Sequence, residues 1–201
     1  MMTLYFANTS PYARKARMVV LEKGLEASVE MVFQNPFEDS PALKSANPLG
    51  KVPALVTGEG TAIYDSPVIC AYLDSLPGER QLIPEGTTRW KVLTAEALAD
   101  GILDAAFAIV MERRRDATQQ SPMWLDRWQA GILRPAAVIE ADLTAFEGPL
   151  SLAQIALGAA LGYLDFRLPD IDWRPGHPQL AAWFETFSER PAMRATDPAA
   201  S

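Results

Sequence analysis

The stretch NTSPYARKAR, residues 8–17, sets Thr9 and Ser10 directly before Pro11 and a run that carries Arg14, Lys15 and Arg17. A serine followed by proline is a common way to open a helix. The hydroxyl accepts a hydrogen bond from an orphan amide, and proline's missing N–H is not needed there. The same start recurs at Ser66-Pro67, with Asp65 in front of it. Helix starts of this kind also present free amides and the positive end of a dipole to an anionic group. Capping and anion handling are therefore both open at Ser10 and at Ser66.

Other residue types bring little chemistry of their own. The chain has one cysteine, Cys70, and one histidine, His177. An internal disulfide, a CxxC redox pair and a Cys/His metal set are all excluded on that count. Cys70 lies in an apolar run and reads as an inert buried thiol. His177, in PGHPQL, reads as a loop residue or cap. Eighteen basic residues against 25 acidic ones give a net charge of -7, which argues against a nucleic-acid or anionic-membrane surface. No apolar run is long enough for a membrane span, and the start lacks the layout of a signal peptide. A single cysteine fits a reducing compartment, so the expectation is a cytoplasmic protein.

The elements that position these residues follow from periodicity and punctuation. With 201 residues, 49% apolar and 21% charged, the chain can bury an ordinary globular core. TLYFA (3–7) reads as a strand, and Tyr12, Ala16, Val19 and Val20 mark an amphipathic helix over 11–23 that stops at Gly24. SVEMVF (28–33) is a second strand, and 34–48 is a loop with one helical turn. VPALVT (52–57) and TAIYD (61–65) flank GEG as a hairpin, and 66–76 is a helix. The order is βαβ, then ββα. A Pro/Gly-rich linker, PGERQLIPEG (77–86), ends this α/β unit, and the predicted domains are 1–78 and 86–201. The second is all-helical: 88–115, 122–146 with Pro135 placed to kink it, 151–167 and 179–189. Ser151 and Gln154 match a capping box, and the helix behind them is apolar all round, hence buried. MERRRD (111–116) reads as an exposed helix end, and Arg14 and Arg17 as a solvated face.

A βαβ–ββα unit followed by an all-helical domain resembles the glutathione transferase family: a thioredoxin-like domain, then a helical one. SPYARKAR resembles its active-site segment, NPLGKVPAL (47–55) its loop ending in a cis Val-Pro bond, and YDSPVICAYL (64–73) its acidic-Ser helix start. The capping-box helix resembles the buried helix of its second domain. The closest likeness is to small bacterial members with a Ser-Pro active-site segment.

The resemblance implies that glutathione is the co-substrate, with no metal. It implies that the Val52 backbone, turned outward by a cis bond to Pro53, pairs with the extended peptide, and that Asp65 and Ser66 take its γ-glutamyl end. Lys51 reaches the glycyl end, although QNPFE (34–38) offers no basic residue to help. Ser10, with Thr9 as the rival hydroxyl, would hold the thiolate and lower the thiol pKa. Phe107, Met111 and Arg114, at i, i+4 and i+7, are candidates for contacting an apolar electrophile, which the sequence does not identify. A small-molecule electrophile and a second copy in a homodimer are the implied partners. The same site would serve glutathione-dependent peroxidase, isomerase or dehalogenase chemistry, and the fold also serves non-catalytic proteins that bind other proteins.

Overall fold

Apolar and aromatic residues between Met2 and Phe6 form β1, which pairs in parallel with β2 (Val29–Phe33), Leu4 opposite Met31. A parallel pair needs a crossover, and α1 (Pro11–Glu22) supplies it. This computed structural model describes residues 1–78 and 80–200. A short helix, α2 (Pro41–Ala46), capped by the Ser40 hydroxyl, leads to β3 (Ala54–Val56). Strand β3 runs antiparallel to β1, with Leu4 and Leu55 opposite each other and fully buried. Strand β4 (Ala62–Ile63) completes a sheet of order β2-β1-β3-β4. Gly60, at φ 86°, closes the hairpin between β3 and β4 in a conformation that glycine adopts without a steric cost. The four strands are the predicted ones, β1 starting and ending one residue earlier than expected and the other three shorter.

Helix α3 (Ser66–Ser75) follows and packs on α1; Ile69 and Leu73 of α3 and Val19 of α1 are fully buried. The stretch read as a Pro/Gly-rich linker, 77–86, includes residue 79, which lies outside the described residues; two of its described residues, Leu82 and Ile83, are anchored. The Asp74 carboxylate accepts the N–H groups of Leu82 at 2.7 Å and Ile83 at 2.9 Å, and it pairs with the buried Lys23 ammonium at 3.4 Å. Gly78 is required here, because a Cβ would stand 2.7 Å from the Lys23 carbonyl oxygen.

By packing, the chain divides into two compact units. One is Met1–Pro84 together with the segment from Pro191, which contains α8 (Pro191–Ala195); the other is Glu85–Arg190. The second unit is helical throughout among its described residues: α4 (Thr88–Arg113), α5 (Pro122–Ala141), α6 (Leu152–Arg167) and α7 (Pro178–Ser188). Helix α6 is buried from Leu152 to Leu161 and opens with the predicted capping box, Ser151 N–H donating to Gln154 Oε1 at 3.1 Å. Gln154 does a second job, donating from Nε2 to the Phe146 carbonyl at 3.0 Å. Helix α5 continues through Pro135 but ends at Ala141, five residues before the predicted end. There the Asp142 carboxylate accepts the Thr144 N–H, turning the chain into a short 3-10 segment.

Candidate functional site

Strand polarity gathers three segments at one end of the sheet. Ser10 follows the C-terminal end of β1. Pro53 precedes β3, whose start lies beside that same end, since Tyr5 faces Ala54. Asp65 and Ser66 follow β4, which runs antiparallel to β3 and so exits at this end as well. A depression of about 370 Å³ lined by Thr57, Glu59 and Tyr72 lies by the hairpin instead, and no candidate residue lines it.

Ser10 is the N-cap of α1, with φ -83° and ψ 117°, and its Oγ accepts the Ala13 N–H at 3.2 Å. Accepting uses a lone pair, and a hydroxyl keeps its proton for a second bond. No described residue takes that proton. Thr9 is exposed in the preceding turn. The basic run behind them is not the solvated face the sequence suggested. Arg14 is buried; its Nη2 donates to the Met193 carbonyl at 2.9 Å and its Nε to Thr196 Oγ1 at 3.3 Å. Burial holds the Arg14 pKa below its usual value, with Asp197 opposing the shift. Arg17 lies 4.6 Å from the centre of the Phe6 ring, and Lys15 is fully buried.

The loop before β3 is folded by Asn47, a residue the sequence reading did not single out. Its Nδ2 donates to the Lys51 carbonyl at 2.8 Å and its Oδ1 accepts the Leu49 N–H at 3.0 Å. Its only sequence signal is a place in an Asn-Pro pair ahead of a glycine, a common turn composition. The loop delivers a cis Val52–Pro53 bond. Val52 and Pro53 are buried, yet the Val52 N–H and C=O enter no hydrogen bond among the described residues. Lys51 is exposed beside them.

At α3 the Tyr64–Asp65 bond is also cis, and Asp65 occupies the N-cap without using its exposed carboxylate as a cap. Ser66 is the first helical residue and is 2% exposed. Its hydroxyl bonds to no described residue, and no sealed side-chain polar atom among those residues lacks a partner. The Ser66 oxygen therefore keeps access to solvent. Ile69 N–H makes the first helical bond, to Asp65 O at 2.9 Å, which leaves the Ser66 and Val68 amides without intrahelical partners.

The remaining candidates belong to the second unit. On α4, Phe107 is exposed, Met111 half-buried and Arg114 exposed, with Arg114 Nη1 3.8 Å from the Met111 sulfur. MERRRD is more than a solvated helix end. Arg113 holds Asp170 through two bonds of 2.9 and 2.8 Å, and Arg115 pairs with the buried Glu112, which accepts the Ser121 N–H at 2.8 Å. Cys70 is fully buried, and His177 Nδ1 lies 2.6 Å from the Trp173 carbonyl oxygen at the start of α7. No cluster of three or more His, Cys, Asp or Glu side chains suited to a metal occurs among the described residues. Among the described residues no helix is long and apolar enough to cross a membrane.

A four-stranded mixed sheet with its helices, followed by a helical unit, defines a thioredoxin-like domain joined to a transferase-type helical domain. The chain matches the models of the glutathione S-transferase N-terminal domain over residues 9–76 and C-terminal domain over 122–186, and it belongs to the glutathione S-transferase family. It is similar to the uncharacterized GST-like protein YibF of Escherichia coli K12, at 36% identity over 98% of both chains. Its fold matches a glutathione transferase family member from Pseudomonas fluorescens Pf-5 with bound glutathione, at a TM-score of 0.94 and 42% identity, covering 98% of this chain and 99% of that one. A structure described in the same terms, with bound S-(propanoic acid)-glutathione, matches at a TM-score of 0.89 and 40% identity, covering 98% and 97%.

Proposed function

We propose that the protein binds reduced glutathione at this end of the sheet, activates its thiol and transfers it to an electrophile. The observation that carries the reading is the set of polar groups left without protein partners there. The Val52 N–H and C=O present an edge to an extended peptide. The Ser66 hydroxyl and the first amides of α3 suit a carboxylate, and Asp65 suits the neighbouring ammonium. Lys51 is assigned to the glycyl carboxylate. The Ser10 proton remains for the thiolate sulfur, at the positive end of α1. In the transfer that sulfur bonds to the electrophilic carbon, the leaving group departs with its electron pair, and the thiol proton passes to solvent. The Pf-5 proteins with glutathione and an S-substituted glutathione bound support sulfur as the reacting atom. Phe107, Met111 and Arg114 are assigned to the second substrate.

Calorimetric titration with glutathione tests the reading. Wild type is expected to bind, and Ser66→Ala to bind about tenfold more weakly, the scale of one hydrogen bond to a charged group. Absence of binding by wild type would remove the assignment.

A further inference from the structure

Asn47 is 1% exposed, and every polar group it carries is engaged. Its N–H donates to the Leu43 carbonyl near the end of α2 at 2.7 Å, and its C=O accepts the Gly50 N–H at 2.8 Å. Its side-chain Oδ1 accepts the Leu49 N–H at 3.0 Å, and its Nδ2 donates to the Lys51 carbonyl at 2.8 Å. The neighbours fix which way this amide points. Turned over, it would set an NH2 against an N–H and an oxygen against a carbonyl. One side chain thus ties the end of α2 to the residue before Val52.

The bond to Lys51 has its consequence on the far side of the same peptide group. The Lys51 carbonyl and the Val52 N–H share that group, which is planar and trans. Its C=O and N–H therefore point in opposite directions, and a carbonyl held on Asn47 turns the N–H away from it. In that direction the Val52 N–H bonds to no described residue. The Val52 side chain is held as well, in a buried cluster with Ala7, Leu43, Ala46 and Ala54. Without the Asn47 bond, the peptide group would rotate about the soft torsions on either side of it, and the N–H would lose its aim.

We propose that Asn47 is a positioning residue for glutathione: it holds the Lys51–Val52 peptide group so that the Val52 N–H is aimed at a carbonyl oxygen of the bound peptide. This rests on the glutathione reading of the site. Asn47 acts through Val52, and its contribution is preorganisation, which spares the loop an ordering cost when the ligand arrives.

The test uses the full chain and Asn47→Asp, which keeps the acceptor for Leu49 and replaces the donor to Lys51 with an oxygen that repels the carbonyl. At a temperature where both proteins are folded, calorimetry should show glutathione bound about fivefold more weakly by the variant, the scale of one neutral hydrogen bond. The thiol pKa of the bound glutathione should not move, because Ser10 is untouched. Amide exchange in 15N-labelled protein reads the aim itself. In wild type the Val52 amide should exchange more slowly once glutathione binds, and in Asn47→Asp it should gain no such protection. A residue that only stabilised the fold would shift the denaturation midpoint and leave both readouts alone. Two wild-type measurements decide the matter if the variant does not fold: slow exchange of the Asn47 side-chain amide, and protection of Val52 by glutathione. A variant that binds as wild type does, or that leaves Val52 protected on binding, overturns the positioning role. So does a wild type in which the Asn47 side-chain amide exchanges freely or bound glutathione leaves Val52 unprotected. Each of these outcomes leaves the glutathione site standing. A wild type that binds no glutathione overturns the site, and the role of Asn47 falls with it.

Discussion

One oxygen serves two bonds at Ser10, and they are separable by experiment. Capping uses its lone pair on the Ala13 N–H; thiolate stabilisation would use its proton. Removing the hydroxyl by Ser10→Ala should cost about 1 kcal/mol of stability, as for other N-caps. If the proton also serves the sulfur, the thiol pKa of bound glutathione should rise towards the free value of about 8.5. Ultraviolet absorbance of the bound thiolate against pH measures that shift in wild type, Ser10→Ala and Thr9→Ala, and only the Ser10 variant is expected to move. A shift confined to Thr9→Ala would transfer the role one residue back. Ser10, Val52–Pro53 and Asp65–Ser66 could be singled out as candidates from sequence because they sit in local patterns, Ser-Pro, Val-Pro and Asp-Ser-Pro. Arg14 was not legible. Its partners, Met193 and Thr196, lie about 180 residues away in sequence, and no local pattern announces a bond of that range.

Elements behave the same way: their kind follows from local periodicity, their anchoring from distant contacts. The order of strands and helices along the first unit, the buried capping-box helix and the helical second half were all readable, because the patterns that mark strands and helix caps are local. The anchoring of Leu82 and Ile83 was not legible, because their stretch has the composition of a loop while their N–H groups are held by the Asp74 carboxylate of α3, itself paired with Lys23. Asp74 therefore joins the end of α1, the end of α3 and the chain leaving them. Asp74→Ala should destabilise the protein by about 3–5 kcal/mol, because the buried Lys23 loses its counter-ion and two N–H groups lose their acceptor. Chemical denaturation measures it; a loss under about 1 kcal/mol, the range of exposed pairs, would show that the contact is incidental. The Arg113–Asp170 pair in the second unit is such an exposed case. Arg113 holds the Asp170 pKa below its usual value. A depressed carboxylate stabilises the fold above its unfolded pKa, about 3.9, and that contribution fades as pH falls through the folded value. Asp170→Asn is accordingly expected to cost under about 1 kcal/mol at pH 7, with the difference vanishing in acid and shrinking in high salt.

At the scale of the whole molecule, large apolar side chains remain exposed on the surface. Val68 on α3 is 51% exposed, and Trp90 in the first turn of α4 is 67% exposed. Single exposed hydrophobics are ordinary, and a contiguous apolar surface is what marks an interaction site. Helix α3 and the first half of α4 are also the elements that a two-fold family dimer would use, and an isologous interface needs one self-complementary surface. A homodimer is the expected state, measured by light scattering at micromolar concentration. Trp90→Glu and Val68→Glu place charges on the proposed interface and not in the core, so each should shift the mass towards the monomer while leaving the helical signal intact. If wild type scatters as a monomer, the dimer is wrong. If it scatters as a dimer and neither variant weakens it, the two copies meet through another face, and Trp90 and Val68 need a different explanation.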